Sequence, residues 1–133
     1  MAKFGQKSLL QLRTCHPDLV EILNEAIKYF DFSILDGHRD KITQNALMKA
    51  GKSKLEYPKS RHNQIPSLAV DIVPYPVDWT DSRRFAVLAG IIYGIAWRKG
   101  IKIRWGGNWS RDMVNGFRKN NFDDLPHFEI STD

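Results

Sequence analysis

Asp71 stands in the middle of the apolar run Ala69-Val70-Asp71-Ile72-Val73, in which a period of two places Ala69, Asp71 and Val73 on one face of a strand. Burying a lone carboxylate is costly, so something positive must neutralise it. His62 lies upstream, across a loop containing Pro66 and Ser67, and Asp123-Asp124-Leu125-Pro126-His127-Phe128-Glu129 follows far downstream. His62, Asp71 and His127 together make a His-His-Asp donor set. Catalytic zinc uses three protein ligands of this kind and keeps a fourth position for water. Asp124, three residues before His127, is the candidate general base toward that water, whose pKa zinc lowers to about 7. Arg39, always protonated, is the candidate for stabilising charge on an attacked carbonyl.

Spacing alone leaves other readings open. There is no His-Glu-x-x-His, and no single helical face explains the interval of nine from His62 to Asp71. His62 also reads as a surface histidine in a basic loop, and Asp71 as a buried carboxylate bonded to backbone amides. His127 also reads as a core histidine satisfied by Asp124. Asp123 competes with Asp124, although the three-residue offset favours the latter. Glu129 shares a strand face with His127 and reads either as orienting that imidazole or as a surface salt bridge. Trp105 and Trp109 flank Gly106-Gly107-Asn108, in the core or lining a cleft. Trp79 and Trp97 read as packing, and Cys15 has no partner histidine nearby.

These side chains must be positioned by the elements around them. Residues 1–16 read as an arm and a short helical turn with Ser8 as its cap. Pro17 then opens a helix whose apolar stripe is Leu19, Ile22, Leu23, Ala26, Ile27 and Phe30. Phe32 to Leu35 is a strand stopped by Asp36-Gly37, and Asp40 caps a helix ending before Gly51. Lys52 to Arg61 is a basic loop. The run from Phe85 to Lys99-Gly100 is a long helix, apolar on much of its circumference and expected to be the most buried. Ile101 to Trp105 and His127 to Ile130 are short strands, with an irregular polar loop between them. Helices and strands without a strict βαβ rhythm indicate an α+β fold with a small, mainly antiparallel sheet packed by helices.

The chain has 133 residues, fitting one domain over 1–133 with a real core. A net charge of +5 favours partners bearing carboxylates or phosphates without choosing among them. One cysteine excludes an internal disulfide and a cysteine-rich zinc site. No apolar run approaches membrane-spanning length, and Met-Ala-Lys-Phe-Gly-Gln lacks the apolar core of a signal peptide.

Taken together, Ser60-x-His62, Ala69-x-Asp71-x-x-Pro74 and Asp124-x-x-His127-x-Glu129 resemble the LAS zinc peptidases, which share the hedgehog/DD-peptidase fold. Gly37-His38-Arg39 with Gln44 is similar to the segment preceding the metal motif in that family. The size and the Lys3-Phe4-Gly5 opening resemble single-domain phage endolysins, notably L-alanyl-D-glutamate endopeptidases. The resemblance spans about residues 3 to 130. It implies His62, Asp71 and His127 as ligands of Zn2+, Asp124 as catalytic acid/base, and Arg39 and Ser60 as substrate-binding groups, with Trp105 a further candidate on the cleft. It also implies hydrolysis of a peptidoglycan stem-peptide amide by a monomer, with no nucleic acid and no membrane insertion. Localisation would be host cytoplasm, then the wall after holin-dependent release. The alternatives are a D-alanyl-D-alanine carboxypeptidase on the same scaffold, and a non-catalytic basic module with structural zinc. The His-to-Asp interval departs from the pattern: it is nine here, with no glycine, where seven with a glycine is usual. A loop can bulge outward while its ends stay close.

Overall fold

The computed structural model describes residues 2–131. In chain order the elements are α1 (Gln6–Leu12), α2 (Pro17–Ala26), β1 (Phe32–Asp36), α3 (Lys41–Lys49), a 3-10 turn (Arg61–Asn63), β2 (Ala69–Pro74), α4 (Ser82–Lys99), β3 (Ile103–Trp105) and β4 (His127–Ile130). The strands form a four-stranded antiparallel sheet in the order β1-β2-β4-β3. This is the α+β architecture expected.

Helix ends follow local chemistry. At α2 the His16 Nδ1 accepts from the Asp18 N–H at 3.1 Å, directly ahead of Pro17. At α3 the Asp40 carboxylate accepts from the Thr43 N–H at 2.8 Å. Gly100 takes the left-handed conformation, φ 71°, that closes α4. Ser8 is not the cap expected of it. It lies inside α1, buried, and its Oγ accepts from the Ile34 N–H at 3.0 Å. β1 is an edge strand, and Ser8 supplies one of its amides with the acceptor that a neighbouring strand would otherwise give.

Leu19, Ile22, Leu23 and Ala26 of α2 pack with Phe85, Leu88, Ile92 and Ala96 of α4, and the inner face of the sheet adds Val70, Ile72 and Phe128. Each large apolar side chain buried in this way contributes about 1.5–3 kcal/mol. α4 is amphipathic rather than buried all round, because Val87 and Trp97 stand in solvent. Trp79 and Trp97 are partly exposed yet pack as expected, Trp79 stacking on Phe85 and Trp97 lying against Tyr93.

The two central strands, β2 and β4, set the site. Their register places Asp71 opposite His127 and Ala69 opposite Glu129. Side chains alternate, so Asp71, His127 and Glu129 share one face while Phe128 points into the core. The long His62–Asp71 loop bulges outward. Ile65 is 85% exposed, while the Leu68 N–H bonds back to the Arg61 carbonyl at 3.2 Å and holds the loop closed.

Candidate metal centre

His62 is carried by the 3-10 turn. The Ser60 side chain caps this turn, accepting from the His62 N–H at 3.2 Å, and Asn63 Oδ1 accepts from the Ser60 N–H at 3.0 Å. The turn is fastened to residues 37–39: the Arg39 N–H donates to the His62 carbonyl at 2.8 Å, and Asn63 Nδ2 to the Arg39 carbonyl at 3.0 Å. The Gly37 carbonyl reaches His62 Nδ1 at 2.7 Å. A side chain at Gly37 is excluded, since a Cβ there would lie 2.2 Å from Thr14 Oγ1 and 2.6 Å from the Gln11 carbonyl oxygen.

A carbonyl only accepts, so His62 Nδ1 carries a proton toward Gly37 and Nε2 is the ring nitrogen turned toward the site. That Nε2 is buried, has no hydrogen-bond partner, and sits 3.3 Å from Asp71 Oδ1. His127 repeats the arrangement with its nitrogens exchanged. Its Nε2 faces Glu129 Oε1 at 2.8 Å, which leaves Nδ1 toward Asp71 Oδ1 at 3.2 Å. The other oxygen of Asp71 accepts from Arg39 Nη2 at 2.7 Å, while Arg39 Nε donates to Asp36 at 2.9 Å. Three donor atoms therefore meet at one point, all within 4.8 Å of one another.

This arrangement fits a zinc ion. Donors about 2.0–2.1 Å from a tetrahedral ion lie about 3.3 Å from each other, close to the two separations from Asp71 Oδ1. Without a cation, lone pairs would face a carboxylate oxygen. The electrostatics agree. Burial pushes the Asp71 carboxyl toward its neutral form, yet His127 and His62 outweigh it and hold the pKa far below the usual range. Burial pulls the His127 pKa down, but Asp71 and Glu129 raise it to about 9. A proton then occupies the place between His127 and Asp71 when no metal does, and a metal must displace it. Glu129 stays ionised: His127 and Arg104 outweigh the effect of its burial.

The donor set opens on a cleft of about 720 Å³. Asp124 lines it, its backbone N–H donating to the Gly106 carbonyl at 2.8 Å and its carbonyl accepting from the His127 N–H at 3.1 Å. Gly106 permits this approach, because a Cβ there would meet the Asp124 carbonyl oxygen at 1.9 Å. The protein crowded around Asp124, and next the Asp71 charge, raise its pKa above the ordinary carboxylate range. Asp123 also borders the cleft, but its carboxylate accepts from the Asn120 N–H at 3.0 Å, within its own turn.

Comparison with known proteins fits this geometry. The model of the family described as phage L-alanyl-D-glutamate peptidase matches residues 1–131. The chain belongs to the phage L-alanyl-D-glutamate peptidase family. The L-alanyl-D-glutamate peptidase of Escherichia phage T5 is 31% identical over 129 residues, covering 91% of this chain and 93% of that protein. The crystal structure of the Serratia marcescens L-Ala D-Glu endopeptidase ChiX superposes with a TM-score of 0.76 and 30% identity, covering 97% of this chain and 90% of that one.

The structure brings together His62, Asp71, His127, Asp124, Arg39 and Glu129, all of which line the peptidase-family cleft. Ser60 borders it too, with its hydroxyl committed to the turn that carries His62. Arg39 borders the cleft and pairs with two carboxylates, Asp36 and Asp71. Trp105 departs from expectation. It is 5% exposed, stacks on Phe128 and donates Nε1 to the Leu125 carbonyl at 2.7 Å, which makes it core; Trp109 borders the cleft and packs against His127. Burial pushes the Cys15 thiol up to about 11, removing it as a nucleophile. Sequence reasoning missed Arg61 and Arg104. Both pair with Glu129, and neither has a local signal that announces it.

Proposed function

We propose that this chain is a zinc-dependent peptidoglycan peptidase of the phage endolysin kind, hydrolysing the stem-peptide amide between L-alanine and D-glutamate. The observation that carries the reading is the buried, partnerless Nε2 of His62 aimed at Asp71 Oδ1 beside His127 Nδ1. His62, Asp71 and His127 would hold the ion, which when bound supplies a Lewis acid and a water of lowered pKa.

The chain's own residues do the remaining work. The Gly37 carbonyl and Glu129 hold the outer nitrogens of His62 and His127, so that Nε2 of His62 and Nδ1 of His127 are the nitrogens turned toward Asp71. Arg39 occupies Asp71 Oδ2 and leaves Oδ1 as the single ligating oxygen. Asp124 takes the proton of the attacking water and passes it to the departing amine nitrogen. Its raised pKa suits the second half of that task, where it must act as an acid. Trp109 and the loop containing Lys52 and Lys54 wall the cleft that receives the stem peptide. Among the described residues the donor group has three members, which supports a catalytic site over a closed four-ligand structural one. No helix among these residues is long and apolar enough to cross a membrane. In this reading the enzyme reaches the wall from the host cytoplasm through a holin-type lesion and works as a monomer.

Digestion of purified peptidoglycan followed by mass spectrometry tests the assignment. Detachment of the stem after L-alanine is expected. Release of terminal D-alanine instead would move the activity to a carboxypeptidase on the same scaffold.

A further inference from the structure

Beside the donor set, the cleft holds two guanidinium groups on one carboxylate. Glu129 Oε2 accepts from Arg61 Nε at 2.8 Å and from Arg104 Nη2 at 2.9 Å, while Oε1 faces His127. The Glu129 side chain is 6% exposed, against 30% for Arg61 and 29% for Arg104, so the anion sits behind and the cations stand forward into the cleft. A guanidinium has five N–H donors in a planar fork suited to carboxylates. Glu129 therefore orients the pair, and Arg104 Nη1 also donates to the Trp109 carbonyl at 3.4 Å. Arg104 is held further by Trp109, over whose ring it lies at 5.4 Å. Of the other cations lining the cleft, Arg39 is held by Asp36 and Asp71, Lys54 lies over the Phe122 ring and Lys59 pairs with Glu56, while Lys52 stands on the basic loop.

We propose that Arg61 and Arg104 recognise the free carboxylate of the glutamyl residue on the leaving side of the scissile amide. The inference rests on the function proposed above and adds its specificity determinant. A glutamyl residue joined through its amine to L-alanine, and through one carboxyl to the next residue, keeps its other carboxyl as an anion. Where that is the α-carboxylate, it shares a carbon with the scissile nitrogen and must lie close to the reacting centre. Only Glu129 separates the arginine pair from His127. Amidation of that carboxyl removes the charge and replaces an acceptor with a donor, which two guanidiniums reject.

The test compares kcat/KM of the zinc-loaded enzyme on two soluble peptides, L-Ala-γ-D-Glu-L-Lys with its α-carboxyl free and the same peptide as the α-carboxamide. The wild type is expected to favour the free acid by about ten- to a hundredfold, the range of a hydrogen-bonded charge. Arg61→Ala and Arg104→Ala should collapse that ratio. A purely structural role for the arginines would slow both peptides equally and leave the ratio intact, overturning the proposal. Equal cleavage of both peptides by the wild type would also overturn it while leaving the peptidase reading standing; cleavage of neither would overturn both.

Discussion

Asp124 sets the pH range of the proposed reaction. As a base it must be ionised, and crowding by the protein and by Asp71 raises its pKa above that of an exposed aspartate. Activity is therefore present above that raised pKa and lost as pH falls through it, at a higher pH than for an ordinary carboxylate. Asp124→Asn should lower kcat by about 10²–10⁴-fold, abolish that acidic limb and leave metal content unchanged, as a pH–rate profile with metal analysis would record. His127→Ala should instead lose zinc and activity together. Asp71 was legible because a carboxylate in the middle of Ala-Val-Asp-Ile-Val breaks the pattern of a core strand and demands a partner, whereas His62 and His127 stayed open on spacing and were singled out by the family resemblance. Arg61 and Arg104 were not legible, because their common partner Glu129 is distant along the chain and basic residues in loops and half-buried strands are unremarkable. Trp105 and Trp109 were separable only by the alternation of β3, which turns Trp105 inward; the two glycines after it obscured where Trp109 would go.

The elements that aim these side chains are specified at close contacts. Gly106→Ala would drive a Cβ into the Asp124 carbonyl, and Gly37→Ala one into Thr14 and Gln11. Each should reduce activity by more than it reduces thermal stability, because the segment that shifts carries Asp124 in one case and the Gly37 carbonyl facing His62 in the other. Comparing kcat/KM with Tm for both variants checks this. Ser60→Ala removes the cap of the His62 turn and should cost about 1 kcal/mol, read by denaturant unfolding. Helices α2, α3 and α4 could be read from periodicity and caps because both are local. The misreading of Ser8 arose because its partner, the Ile34 amide, belongs to an edge strand 26 positions away.

Across the whole molecule, the α+β class followed from the order of periodic segments, whereas the order β1-β2-β4-β3 did not, since pairing β2 with β4 joins segments separated by the whole of α4. Nor did the net charge reveal where it would gather. Arg39, Lys52, Lys54, Lys59, Arg61 and Arg104 line the cleft against Asp71, Asp123, Asp124 and Glu129, giving an excess of positive charge around an anionic substrate. kcat/KM on that substrate should fall as ionic strength rises, with kcat little changed.

One zinc ion held by His62, Asp71 and His127 is the centre of the proposed reaction. A chain stripped of metal and titrated with zinc, with bound metal and peptidoglycan hydrolysis followed together, tests this most directly. Hydrolysis should rise in step with binding and saturate at one zinc per chain. Full hydrolysis by a chain holding no metal would contradict it.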